Sequence, residues 1–206
     1  MLFRSPVARF IALVLEDFGD EALWRPALYY RWAFADDARL MSARLARGML
    51  RDVPLPFAVR RQFILRRQQL VYLRRDGVTR GTRSAIETLY LATLDAMERA
   101  LAHQPFVMGA RPTIADIGLF GSMYRHFFSD PTPARLMRAQ APRTQAWVAR
   151  LWALSPGEWT AHPPVEAVPE ALRALLALVT SVHLPELEAH ATACAEGRAH
   201  AAFETF

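Results

Sequence analysis

Apolar positions recur at helical spacing along almost the whole chain, and strand-type alternation is absent at useful length. Ser5-Pro6 reads as an N-cap followed by proline at the first helical position, with Phe10, Ile11, Val14 and Phe18 on the helix it opens. Gly19 is placed to stop that helix in a left-handed cap, and Asp20 to open the next. The second pattern runs through Trp24, Leu28, Tyr29 and Trp32 and on past Asp36 toward Leu50, where Pro54 and Pro56 end it. A helix from about Phe57 to Arg75 follows, stopped by Asp76-Gly77. Thr82 is placed to cap residues 83–103, whose stripe holds Ile86, Leu89, Tyr90, Leu94, Met97 and Leu101. A loop over 105–112, a helix over 113–128 and a turn at Asp130-Pro131-Thr132-Pro133 come next. Pro142 opens a helix through Trp147 and Trp152, residues 155–169 read as a Pro-rich loop, and helices over 169–182 and 185–196 end the chain. The pattern predicts one all-α domain spanning residues 1–206.

The segment Pro105–Phe120 carries the most information. Thr113-x-x-Asp116 is a capping box in its Asp form: the Thr113 hydroxyl accepts from the Asp116 amide, and the carboxylate reaches back to the Thr113 amide. Pro112 against Ile117 is the matching staple. Ile117, Phe120, Gly121, Tyr124 and Phe127 leave the following helix apolar on more than one face, which suits the middle of a bundle.

This segment resembles the signature of the C-terminal domain of glutathione S-transferases, where a loop of the form F-x-x-G-x-x-P-[ST]-x-A-D leads into the central buried helix. Phe106, Gly109, Pro112, Thr113, Ala115 and Asp116 fall in register with it. Ser5–Ala12, Glu16–Glu21 and Tyr30-Arg31-Trp32 look like the first helix of that domain in one group of these proteins, and Asp130–Met137 and Ala141–Trp147 like the helices after the central one. The resemblance implies a helical bundle of the transferase C-terminal type that forms the wall of a hydrophobic co-substrate pocket. It makes Tyr29, Tyr30 and Phe34, with Tyr124, the candidate pocket residues. Arg31 is expected near an anionic group, or paired with Asp36 or Asp37.

In the family, glutathione is held by a thioredoxin-like domain, and no such βαβ-ββα pattern is legible ahead of the first helix. No catalytic residue carries over, no cofactor is expected in this chain, and glutathione enters as co-substrate only if that other domain supplies its site. Expected partners are a second copy of the chain, a thioredoxin-like domain and a small hydrophobic molecule. A stand-alone helical interaction module and a basic-helix binder of an anionic partner are the alternatives. The first helix favours self-association, because Phe3, Val7, Phe10, Ile11, Val14 and Phe18 cover more than one of its faces.

Composition adds limits. With 206 residues, 52% hydrophobic and 22% charged, the chain can bury a real core and is neither disordered nor a disulfide scaffold. The single cysteine, Cys194, forms no internal disulfide and fits a reducing compartment. No apolar stretch reaches the roughly 20 residues a membrane-spanning helix needs, so a cytoplasmic location is expected, with neither membrane nor nucleic acid as partner.

Every basic residue is Arg, and the net charge of +5 is unevenly placed. Residues 54–83 hold eight Arg (60, 61, 66, 67, 74, 75, 80 and 83) against one acid, Asp76, leaving the rest of the chain slightly acidic. Arg60, Arg67 and Arg74 share a stripe beside Phe63 and Leu70. The reading taken is a solvated face whose Arg stems cover apolar surface, with a phosphate, anionic-substrate or nucleic-acid surface as the alternative. His183, Glu186, His190 and Cys194 recur on one helix but span roughly 16 Å at 1.5 Å per residue, too far for one ion, so no metal site is expected. Cys194 one turn from His190 is read as a packed small residue and not a nucleophile.

Overall fold

The computed structural model describes residues 3–155 and 163–203, and among these every regular element is helical. The Ser5 hydroxyl accepts from the Ala8 amide at 3.2 Å and Pro6 takes the first position, so α1 (Pro6–Asp17) begins where the sequence places it. Its far end differs. Gly19 has no positive φ and stops nothing; the helix widens into a π turn over Phe18–Ala22 and leads on to α2 (Trp24–Ala33). The reason is packing. A Cβ on Gly19 would lie 2.6 Å from the Leu119 nitrogen, and one on Gly118 would lie 2.6 Å from the Glu16 Cα. Glycine is required at both places because the backbones of α1 and α7 (Ile114–Ser122) touch.

The long second helix is two helices. Phe34 is extended, at φ −95° and ψ 133°, and its ring stacks on Tyr30 at 5.4 Å. That break separates α2 from α3 (Ala35–Gly48). Then come α4 (Phe57–Arg67), a π turn over Gln68–Tyr72 and the short α5 (Leu73–Arg75), one nearly continuous helical segment that Gly77 ends at φ 74°. Thr82 precedes α6 (Arg83–Ala100) without capping it; its hydroxyl donates to the Gly77 carbonyl at 2.7 Å and closes the loop instead.

Helix α7 runs into a π turn over Met123–Phe128, and Ile117, expected to staple onto Pro112, is mostly exposed. Asp130-Pro131 does not merely turn the chain but opens α8 (Pro131–Gln140), with proline again at the first position. Helices α9 (Pro142–Ala153), α10 (Arg173–Leu178) and α11 (Leu184–Ala195) complete the bundle, the last two joined by a π turn over Val179–His183. Residues 156–162 of the expected Pro-rich loop lie outside the described residues. Trp32, Trp147, Tyr90, Phe18 and Phe127 are the largest fully buried side chains among the described residues. Among the described residues no helix is long and apolar enough to cross a membrane.

Candidate functional site

The loop before α7 is organised by one carboxylate. Asp116, fully buried, accepts from the Val107 amide (2.8 Å), the Thr113 amide (2.9 Å), the Thr113 hydroxyl (3.1 Å) and Trp147 Nε1 (3.0 Å). Burial pushes this carboxyl above the ordinary carboxylate range, and the four donors pull against that push. Thr113 and Asp116 thus tie α7, its preceding loop and α9 together.

The five pocket candidates fall into three places. Tyr29, Tyr30 and Phe34 form one aromatic cluster with Tyr90, at centroid distances of 4.9 to 5.5 Å. It lies in the core, and the Tyr29 hydroxyl donates to Glu87. Burial, then Glu87, pushes the Tyr29 phenol up to about 12. Tyr124 lies elsewhere, in a stack with Phe120 at 5.2 Å and Trp152 at 4.5 Å. Arg31 pairs with neither Asp36 nor Asp37. Its guanidinium donates to both oxygens of buried Asp130, at 2.7 and 3.1 Å, and to the Arg125 carbonyl. Asp37 is engaged by the amide of Thr132 at 2.9 Å and by its hydroxyl.

Of the five, Arg31 lines a cleft. That cleft, about 630 Å³, lies where three of the four π turns among the described residues converge: Asp20 and Glu21 from the first, Gln68 and Tyr72 from the second, Arg125 and His126 from the third. Turns of this kind are frequent at functional sites because they free carbonyls and shift side chains out of helical register. Trp24, 47% exposed, stands edge-on to His126 at 6.1 Å, and Leu28, Trp32 and Leu45 supply apolar wall. Trp24, one of the apolar positions of the second pattern, is thus not in the core, and no sequence motif points to His126.

The chemistry on offer is binding. The Ser122 hydroxyl donates to the Gly19 carbonyl at 2.9 Å, so its proton is engaged and it is no nucleophile–base partner of His126. His126 is 9% exposed and its Nδ1 is buried without a hydrogen bond. Burial, with Arg31 and Arg125 nearby, pushes the imidazole down to about 3. It is therefore neutral at pH 7 and cannot act as an acid there. The unfolded chain's imidazole takes a proton near the ordinary 6.5, so this residue makes stability fall as pH drops from about 6.5 toward 3, by as much as about 4 kcal/mol. The variant His126→Phe is expected to lose that part of the pH dependence. Urea midpoints of both proteins at pH 7 and pH 4 check it, since the other titrating groups cancel in the comparison. An unchanged difference between the two pH values refutes it.

The side chains of the other polar clusters pair elsewhere. His183 Nε2 meets Asp17 Oδ2 at 2.6 Å, while Glu186 pairs with Arg25 at 2.6 Å. Cys194, expected as a packed small residue, is instead exposed, and no group of three metal-ligating side chains occurs among the described residues. In the basic segment, Arg60 donates to the Leu50 and Arg51 carbonyls, and Arg67 lies over the Tyr72 ring at 4.9 Å. The Arg stems do not cover the apolar stripe: Phe63 and Leu70 are each 56% exposed.

Residues 80–150, from just before α6 through most of α9, match the family model of the glutathione S-transferase C-terminal domain. Neither the curated proteins nor the solved structures gave a match.

Proposed function

We propose, from the premise that residues 80–150 belong to the glutathione S-transferase C-terminal domain family, that the chain is the co-substrate-binding half of a glutathione S-transferase-like protein. The observation that carries this reading is the cleft of about 630 Å³ against the family-matched α7, with Trp24, Trp32 and Tyr72 in its wall and Arg31 and Arg125 among its polar groups. Trp24, Leu28, Trp32 and Leu45 beside charged groups from Asp20, Glu21, Arg31 and Arg125 suit a small aromatic electrophile with a polar end, or its conjugate. The glutathione site is the part a thioredoxin-like domain supplies in this family, and no catalytic residue is assigned here. Val7 and Phe10 of α1 stand mostly exposed and offer a face that such a domain, or a second copy of the chain, would cover.

The test pairs two ligands. Calorimetry of this chain with glutathione is expected to give no saturable heat, because the family's clamp for the tripeptide's charged ends belongs to the thioredoxin-like domain. An aromatic hydrophobic dye is expected to bind saturably, and Trp24→Ala to weaken it by about fivefold, the order of one lost aromatic contact. Saturable glutathione binding, or dye binding indifferent to Trp24, overturns the reading.

A further inference from the structure

We propose that the outward face of the helical segment from α4 to α5, residues 57–75, is a docking surface for an anionic lipid bilayer. This goes beyond the cleft and does not depend on it.

The segment is held from beneath. Ile64 and Leu73 are buried in the core, and the Gln69 side-chain amide donates to the Trp32 carbonyl at 2.8 Å. The opposite face therefore points outward on a fixed support. Val59, Phe63 and Leu70, spaced four and seven residues apart, lie on that face at 48, 56 and 56% exposure, with Val71 beside them. They line one shallow depression together with Arg61, Arg66 and Arg67. A helix with large apolar side chains flanked by guanidinium groups is what lies in a bilayer interface, its apolar face about 5–10 Å into the headgroup boundary.

Charge selects the occupant. Residues 54–83 carry +7, and among the described residues Arg61, Arg66, Arg74 and Arg75 form no ion pair. A second copy meeting this face would set like charge against like charge. Lipid phosphates complement it, and the guanidinium fork suits them. A polynucleotide would satisfy the charge but leave Val59, Leu70 and Val71 without use. It would also find little to stack on, since Tyr72 is already occupied by Arg67. Acyl chains accommodate all of these side chains.

The experiment is vesicle flotation of the full chain with phosphatidylcholine alone and with an added fraction of phosphatidylglycerol. Binding is expected only with the anionic lipid. Phe63→Ser with Leu70→Ser is expected to reduce partitioning at least about tenfold, and Arg66→Glu with Arg74→Glu at least as much. Both pairs are exposed, so urea midpoints are expected to stay near that of the parent and to separate lost binding from lost fold. As an independent readout, Cys194→Ser with Phe63→Cys places a single thiol on the face. An environment-sensitive dye there is expected to shift to the blue with anionic vesicles. No flotation with anionic vesicles at low salt, an unshifted dye, or flotation unaffected by the Phe63 and Leu70 changes overturns the proposal. So does duplex DNA or polyglutamate bound as tightly as the vesicles at physiological salt.

Discussion

Adding one methyl group at Gly118 is expected to destabilise the protein by about 3 kcal/mol or more, the upper end for overpacking. Alanine is the better helix former by roughly 1 kcal/mol, so local propensity predicts the opposite sign. Packing decides. The new Cβ would lie 2.6 Å from the Glu16 Cα and 2.7 Å from its carbonyl oxygen, and backbone cannot swing aside as a side chain can. Helix α1 would have to lift from α7, loosening the complementary approach at Gly19 and the Ser122–Gly19 hydrogen bond of 2.9 Å. For a chain of 206 residues, 3 kcal/mol corresponds to a melting temperature lower by roughly 6–12 °C. Gly48→Ala is the control: it also lies in a helix, but its Cβ would meet nothing within 4 Å, so it is expected to be neutral or to stabilise by up to about 1 kcal/mol. Thermal unfolding of the two variants beside the parent decides it. Equal behaviour would mean that the close crossing of α1 and α7 is not what Gly118 serves.

That crossing also marks the boundary of what the sequence made legible. Helical periodicity located the bundle, because each stripe repeats a local signal many times over. The starts at Ser5, Pro131 and Pro142 follow from residue chemistry within one turn. What stayed hidden was decided across the bundle. Gly19 carries the signature of a left-handed stop, yet nothing local sets its conformation; the contact that does comes from Leu119, a hundred residues on. Phe34 has no breaker beside it, and the helix breaks there with the Phe34 ring stacked on Tyr30. The cleft could not be read for the same reason. Three π turns build it, each shifting the register on which a periodicity argument rests, so Trp24, one of the apolar positions of the second pattern, stands nearly half exposed in its wall. Arg31 was singled out for its charge, but its partner Asp130 lies far along the chain and beyond the reach of spacing.

The Asp116 carboxylate is the second place where one atom group should matter greatly, and here the local reading and the tertiary one combine. Thr113→Ala removes a helix cap and is expected to cost about 0.5–2 kcal/mol. Asp116→Ala removes more, because its oxygens serve Val107, Thr113 and Trp147 at once, and all three N–H groups are then buried without an acceptor. Each orphaned donor costs about 1–3 kcal/mol, and with imperfect additivity the expected loss is at least about 3 kcal/mol. Asp116→Asn is expected to rescue little, since its amide would point a donor at the donors of Thr113 or Trp147. A double-mutant cycle isolates the long-range arm: Trp147→Phe deletes the indole donor, so in the Asp116→Ala background it is expected to cost about 1 kcal/mol less than in the parent. Urea unfolding of the four proteins reads these values, with indole emission as the probe in the variants that keep Trp147. An Asp116→Ala midpoint equal to the parent's would show that the carboxylate does not hold the loop, α7 and α9 together, and an additive cycle would show that its bond to Trp147 contributes nothing.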